Sequence, residues 1–379
     1  MFIQNETLID FCIFRLLLNK KIRLKTILSI DCGTQSLRAA LFSPEGEMLA
    51  IQRVLFEPYK SSQPGWAEQD PEVYWQALTE ACQKLKAEVP EFFEKIAGVG
   101  VTTMRDSLVN VDEQGNPLRP LMVWLDQRKA APVYKPGIIM KIIIWFIGMT
   151  DSIQKAQRDG KCNWIRQNQP EIWKKTHKFL QVSGLLNFRL TGTFRDSVAS
   201  QIGHVPFDYK RQKWGNPKRL FVFSAKLYPI EKDKLPELVK PGETIGQITE
   251  WAAEKTGLPA GLPVIACGSD KGCETLGMGV LNNETASLSF GTTATIQTTS
   301  KKYREPIRYM PSYPAVYPGY FNPEVEIFRG FWMISWFKNE FAHSEVLIAR
   351  KLGIPVEKLL DKLLHQSPPG AMGLVVQPY

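Results

Sequence analysis

The amino-acid sequence predicts an α/β fold built from two domains. The chain has 379 residues, which is more than one compact core usually holds. From Lys25 to Leu55, short apolar runs alternate with polar turns, and this pattern predicts three antiparallel strands. A strand, a Gly-Thr turn and a second strand occur near residue 33 and again near residue 291, so the two halves of the chain echo each other.

Helix and strand signals alternate between these two turns. Asp70 and Pro71 predict the start of a helix, as its N-cap and its first-turn proline. Gly192 and Gly257 predict where two later helices end. The remaining predicted segments are strands at Val99 to Thr103, Ser107 to Val111, Met122 to Trp124 and Val264 to Gly268, a mostly helical stretch at Pro170 to Thr191, a helix at Ala252 to Thr256, a helix from Ser269, and strands at Ala286 to Phe290 and Thr293 to Thr298.

The composition is that of a soluble globular protein. Hydrophobic residues make up 44% of the chain and charged residues 22%. The net charge of +9 comes from lysines and arginines spread along the chain without a long basic block, which favours an enzyme for polyphosphate anions over a nucleic-acid binder. The six cysteines include no CxxC pair, so we expect reduced thiols in a cytoplasmic protein.

Two apolar runs bear on membrane association. Leu8 to Leu18 carries two charges and is too short to span a bilayer. Ile138 to Met149 is interrupted by Lys141 and is also short, so it predicts a buried helix. We therefore expect no membrane partner, and we assign residues 1–24 to an N-terminal extension. The sequence leaves a homodimer open.

The first group of residues with chemical potential is the turn DCGTQS, between the first two predicted strands. Gly33 permits a tight turn and a close approach of the backbone to a ligand, while Thr34 and Ser36 supply hydroxyls. Asp31, at the end of a strand, suits binding of Mg²⁺ directly or through water. An ordinary polar hairpin remains the alternative interpretation.

The second group is Gly291, Thr292 and Thr293, again between an apolar strand and a hydroxyl-bearing strand. One such hairpin in each domain would close on a triphosphate from opposite sides. Phosphoryl transfer depends mainly on positioning and charge stabilisation, so two phosphate-binding hairpins suit that chemistry.

A third group, GSDKGCE, places Asp270 between a predicted strand and a predicted helix. A carboxylate at this edge can accept the proton of an attacking hydroxyl as general base. The alternative is that Asp270 caps the helix.

The fourth group is TTMRDS, where Arg105 and Asp106 offer a donor fork beside an acceptor. That pair suits binding of vicinal hydroxyls, although a surface ion pair is the commoner outcome. Trp66, in the segment PGWAEQDP, would form an apolar wall for a sugar's C–H face, or else a buried structural contact.

The order DCGTQS, PGWAEQDP, TTMRDS, VWLDQR, LLNFRLTG, GSDKGCE and SFGTT resembles the FGGY carbohydrate kinases. The resemblance runs from Lys25 to Tyr379. It implies an actin-like ATPase fold of two ribonuclease H-like domains, which we expect at residues 25–272 and 273–379. It also implies transfer of phosphate from ATP, with Mg²⁺, to a hydroxyl of a small sugar or polyol.

The resemblance also assigns a role to each group of residues. Asp31 is implied near Mg²⁺ and the phosphates, and Asp270 as the catalytic base that also contacts the substrate. The implied phosphate loops are Gly33, Thr34, Gln35 and Ser36, and Gly291, Thr292 and Thr293. The implied substrate contacts are Trp66, Arg105, Asp106 and Lys271.

The chain departs from the family pattern in two respects. Glycerol kinases have Arg-Glu and Asp-Gln where this chain has Arg105-Asp106 and Asp270-Lys271, which argues against glycerol as substrate. Complete members continue past Gln-Pro-Tyr with a Gly-Gly-Gly segment that packs on the adenosine. We therefore expect an incomplete second domain, exposed apolar side chains and weak or absent activity; the apolar residues concerned are Trp332, Trp336 and Phe337.

Two alternatives to an active kinase stay open. One is a catalytically inactive remnant that still binds sugar through Trp66, Arg105 and Asp106. The other is an actin-like or chaperone-like ATPase that shares only the phosphate hairpins, which the segments around Trp66 and Arg105 disfavour.

Overall fold

The structure, a computed structural model, describes residues 25–290, 293–327, 330 and 332–376. Within these ranges the strands are β1 (Thr26–Cys32), β2 (Ser36–Phe42), β3 (Met48–Leu55), β4 (Glu68–Gln69), β5 (Ile96–Thr103), β6 (Leu108–Val111), β7 (Leu121–Met122), β8 (Lys178–Gln181), β9 (Arg195–Ser197), β10 (Phe207–Asp208), β11 (Lys213–Trp214), β12 (Glu237–Val239), β13 (Thr244–Gln247), β14 (Pro263–Ile265), β15 (Ser287–Phe290), β16 (Ala294–Gln297), β17 (Tyr313–Pro314), β18 (Phe321–Asn322) and β19 (Glu324–Ile327).

The helices of the described residues are α1 (Pro71–Glu88), α2 (Pro90–Phe93), α3 (Ile138–Phe146), α4 (Thr150–Asp159), α5 (Lys161–Asn168), α6 (Pro170–Lys175), α7 (Val182–Thr191), α8 (Ser224–Leu227), α9 (Glu250–Thr256), α10 (Asp270–Gly277), α11 (Trp332–Glu340), α12 (His343–Leu352) and α13 (Glu357–Gln366). Short 3₁₀ turns lie at Val198–Ser200, Lys232–Lys234 and Ala371–Gly373. None of the helices in the described part of the chain combines the length and the apolar character that crossing a bilayer requires.

A mixed sheet, called the large sheet, positions the site. Its strand order among the described residues is β13-β14-β5-β1-β2-β3. β1 pairs antiparallel with β2, and β2 with β3, which confirms the three antiparallel strands predicted from Lys25 to Leu55. β1 runs parallel to β5, with Cys32 opposite Thr103. The carboxyl ends of these two parallel strands therefore meet at one edge of the sheet.

Helix α1 covers one face of the large sheet, and it begins where Asp70 and Pro71 predict a helix start. The Asp70 side chain accepts a hydrogen bond from the backbone N–H of Glu72 at 3.0 Å, which caps the first turn. The apolar residues at helical spacing, among them Tyr74 and Leu78, are fully buried in the same core as β1 and β2. Burial of each such side chain contributes about 1.5–3 kcal/mol.

A second, three-stranded sheet, called the small sheet, has the antiparallel order β15-β16-β19 within the described residues. This confirms the predicted strands on either side of the second Gly-Thr turn. Helix α10 lies between the large sheet and the small sheet along the chain. The predicted domain boundary between residues 272 and 273 falls within α10, and the division into two domains at that point stays a prediction.

The prediction of a buried helix at Ile138 to Met149 is wrong. The helix forms as α3. Among its described residues only Ile144 is buried, while Ile142 is 59% exposed. The outward face also carries Ile138, Ile139, Trp145 and Phe146. Hydrophobicity alone favours burial, but only one face of this helix packs on the neighbouring core.

The predicted helical stretch at Pro170 to Thr191 is interrupted. It contains α6, strand β8 and α7, and Gly192 ends α7 in the left-handed conformation as expected. The strand forms because Lys178 to Gln181 pairs with all four residues of β6, a partner that local periodicity does not reveal.

The apolar side chains expected at the surface near the end of the chain are exposed in part. Trp336 and Phe337, on α11, are both exposed. The side chain of Trp332 lies outside the described part of the structure.

Candidate active site

A cavity of about 1240 Å³ opens where β1 and β5 end. It is lined by residues of the turns that follow β1 and β5, by the start of α10 and by the small sheet. Seven of the residues singled out from the sequence line it: Gly33, Thr34, Arg105, Asp106, Asp270, Lys271 and Thr293.

The first Gly-Thr turn contributes its tip to the cavity. The Gly33 N–H donates to the Ser36 carbonyl at 2.9 Å and closes the hairpin. The hydroxyl oxygen of Thr34 accepts a hydrogen bond from Trp124 Nε1 at 3.0 Å. Gln35 is exposed and Ser36 is buried in β2, and neither lines the cavity.

Asp31 lies at the base of the same hairpin. Its Oδ2 accepts a hydrogen bond from Arg38 Nη1 at 2.8 Å, and the residue does not line the cavity. In the described part of the chain, no cluster of three or more His, Cys, Asp or Glu side chains forms a protein metal centre. The role of Asp31 near Mg²⁺ stays a prediction.

The second Gly-Thr turn reaches the cavity through Thr293. Gly291 and Thr292 lie outside the described residues. Burial raises the pKa of Glu326, which also lines the cavity, and the nearby Thr293 side chain offsets part of that rise. Gly33 and Thr34 of the first turn and Thr293 of the second thus line the same cavity.

Asp270 is the first residue of α10 and borders this space. The N-cap is Ser269, whose hydroxyl accepts a hydrogen bond from the Gly272 N–H, so the interpretation of Asp270 as the cap is wrong. Burial raises the pKa of the Asp270 carboxyl, and the nearby Arg105 guanidinium offsets part of that rise. A carboxylate of raised pKa at a cavity edge suits proton acceptance near neutral pH.

Lys271 follows Asp270 and connects α10 with the small sheet. Its Nζ donates to Ser289 Oγ on β15 at 2.6 Å and pairs with Glu274 at 3.0 Å. The ammonium group is therefore held at the cavity by one partner on α10 and another on β15.

Arg105 and Asp106 do not pair as a surface ion pair, because each has other buried partners. Arg105 donates to both carboxylate oxygens of Glu324, at 2.7 and 2.8 Å. Asp106 accepts from Lys161 Nζ at 2.5 Å and lies 2.7 Å from His204 Nδ1. Burial acts to raise the pKa of Asp106, but His204 and Lys161 together hold it well below its usual range.

Trp66 does not line the cavity. Its ring meets that of Trp164 edge to face at 5.5 Å, and the Arg128 guanidinium lies 4.1 Å from its centroid. Trp124 does line the cavity, next to Thr34. The role of Trp66 as a substrate wall stays a prediction.

Sequence reasoning missed the partners that hold the site together. Asp106 is held by Lys161 and His204, and Arg105 is held by Glu324. These partners lie 55 to 219 residues away in the chain. No local motif marks them.

The large sheet, the small sheet and the cavity between them define an actin-like ATPase fold. The xylulose kinase of Rhodospirillum rubrum has the same fold, with a TM-score of 0.75 at 23% identity over 94% of this chain and 70% of that one.

The chain belongs to the FGGY family of carbohydrate kinases, since the model of that family's N-terminal domain matches residues 26–277. A sugar kinase of Escherichia coli, named uncharacterized sugar kinase YgcE, is 29% identical over 93% of this chain and 63% of its own length. The xylulose kinase of Lactococcus lactis is 24% identical over 93% of this chain and 67% of its own length. The chain thus spans less than two thirds of the length of the Escherichia coli sugar kinase.

Proposed function

We propose that this protein transfers the γ-phosphoryl group of ATP to a hydroxyl of a small sugar or polyol, with Asp270 as general base. The observation that carries the proposal is one cavity that brings the Asp270 carboxylate together with Gly33, Thr34 and Thr293 of the two hairpins. The names of the related kinases support a sugar as the acceptor class.

The residues of the chain divide the work between positioning and proton transfer. Asp106, kept anionic by Lys161 and His204, is a fixed acceptor for substrate hydroxyls. Arg105 uses Nε and both Nη atoms on protein acceptors, and each Nη retains one further N–H for substrate.

Asp270 takes the proton of the attacking hydroxyl as the new O–P bond forms and the bond to the ADP leaving group breaks. The proton then leaves Asp270 for solvent with the product. The hydroxyls of Thr34 and Thr293 orient the phosphates from two sides. Asp31 and the ATP phosphates would hold Mg²⁺, which would supply charge neutralisation of the phosphates.

The test is sugar-dependent release of ADP, measured with the full chain and a panel that includes xylulose, gluconate and glycerol. We expect measurable turnover with at least one sugar, even if it is slow. Asp270→Asn should lose about 10²- to 10⁴-fold of that rate and retain the sugar dissociation constant measured by calorimetry. Asp361→Asn, an exposed change on α13, is the matched control and should keep full turnover.

Two results would contradict the proposal. Unchanged turnover in Asp270→Asn would remove this residue as the base. Heat of sugar binding without heat of nucleotide binding and without ADP release would support an inactive sugar-binding protein in place of a kinase.

A further inference from the structure

The Glu324 side chain on the small sheet contacts Arg105, which follows the end of β5. Glu324 lies at the start of β19, and its side chain is only 3% exposed. Its two carboxylate oxygens accept from Arg105 Nη1 and Nη2, at 2.7 and 2.8 Å, across 219 residues of chain. Gln297, on the neighbouring β16, donates to one of the same oxygens. Such a two-bond fork fixes the plane of the guanidinium as well as its place.

The opposite edge of the Arg105 guanidinium faces α10. Nε donates to Ser269 Oγ at 3.2 Å and lies 3.7 Å from Asp270 Oδ1. The Tyr313 ring lies beneath the group, with its centroid 5.1 Å from Cζ. The cation is thus held on one edge by the small sheet while its other edge meets the N-terminus of α10.

We propose that Glu324 is a positioning residue for phosphoryl transfer, which from the small sheet fixes the Arg105 guanidinium against the Asp270 carboxylate. This proposal rests on the proposed function, because it concerns the same base. Glu324 acts through Arg105 and needs no contact with the substrate. Misplacement of a catalytic group by about 1 Å costs on the order of 100-fold in rate, so a rigid Arg105 has a direct consequence for turnover.

Of the charged groups near Asp270 in the described part of the chain, Arg105 is the one that Glu324 contacts. The neighbours are Arg105, Lys271 and Glu274. Lys271 is held separately, by Ser289 and Glu274. A change at Glu324 therefore reaches Asp270 through Arg105, while the Lys271 contacts remain.

The first test needs no turnover. We would follow the ¹³C resonance of the Asp270 carboxyl, assigned with Asp270→Asn, through a pH titration of the full chain and of Glu324→Gln. We expect the pKa of Asp270 to rise in Glu324→Gln, because Arg105 loses its fixed position beside the carboxylate. The control is Glu237→Gln, which removes the carboxylate of an exposed pair with Arg195 and should leave the titration unchanged.

An unchanged pKa in Glu324→Gln would overturn the proposal. A lowered pKa would overturn it as well, since it would mean that Glu324 holds Arg105 away from Asp270. Where Glu324→Gln does not fold, Arg105→Lys breaks the same fork from the other side, and the same rise is expected.

The second test is kinetic. With a sugar that the chain phosphorylates, Glu324→Gln should lower kcat on the order of 100-fold, and KM for the sugar should rise by a smaller factor, because Arg105 also donates to the substrate. In an Arg105→Gln background, the same change at Glu324 should have no further effect on kcat, because its route to Asp270 is already cut. A full additional loss there would indicate a merely structural role. If the unmodified chain shows no turnover, that result contradicts the proposed function. The titration of Asp270 still decides separately whether Glu324 positions Arg105.

Discussion

Lys161 Nζ lies 2.5 Å from Asp106 Oδ2, although the two residues are 55 positions apart in the chain. The Lys161 side chain is only 3% exposed, so the ion pair is buried. Removing one partner of a buried pair leaves an uncompensated charge, which is far more damaging than losing a surface pair.

Lys161→Met should therefore lower the free energy of unfolding by about 3 kcal/mol. Urea unfolding monitored by circular dichroism measures this loss. Lys255→Met is the matched control, because Lys255 pairs with Glu254 at the surface and its loss should change stability by less than about 0.5 kcal/mol. Equal effects of the two changes would show that the Lys161–Asp106 pair is dispensable.

Gly203 packs directly against Asp106 and has a φ of +129°. A Cβ at this position would lie 2.3 Å from Asp106 Oδ1, so Gly203→Ala must displace the carboxylate as well as strain the backbone. Gly319→Ala separates the two effects, since Gly319 has a φ of +79° but no heavy atom within 4 Å of the added Cβ.

We expect both alanine variants to lose about 1 kcal/mol from backbone strain, and Gly203→Ala to lose more and to bind sugar less tightly. Urea unfolding and calorimetry with sugar are the measurements. If Gly203→Ala bound sugar as well as Gly319→Ala, Asp106 would have no part in substrate binding.

The two faces of α3 should respond differently to truncation. Ile144→Ala removes a buried side chain, 4% exposed, and should lower the free energy of unfolding by about 2–5 kcal/mol. Ile142→Ala, on the same helix but 59% exposed, should change it by less than about 0.5 kcal/mol. Comparable losses measured by urea unfolding would mean that the outward face is covered.

The pH profile of the reaction should have an acid limb set by Asp270. The base must be ionised, so kcat/KM should fall as the pH is lowered through the pKa of this carboxyl. Because burial raises that pKa, the fall should begin at a higher pH than the usual value of 3.8 for an aspartate would give. The residual rate of Asp270→Asn should lack this limb, and a limb that persisted there would have to belong to another group.

Local sequence patterns were sufficient for most of the elements that build the site. The strands around Gly33 and Thr293, and the helices that begin after Asp70 and Ser269, follow from apolar periodicity, turn residues and capping residues. Those signals depend on residues that lie only a few positions apart in the chain, so they can be recognised without knowledge of the tertiary structure. The strand β8 was missed because its partner β6 lies far from it in the chain.

The sequence by itself therefore determined the α/β elements, the two hydroxyl-bearing turns and the candidates for the site. Tertiary structure alone decided which of those candidates face one cavity, and that Arg105 and Asp106 are held by Glu324, Lys161 and His204. The physical reason is that a buried charge must find its partner in space, and the partner's position is set by the packing of sheets and helices. No spacing along the chain encodes that position.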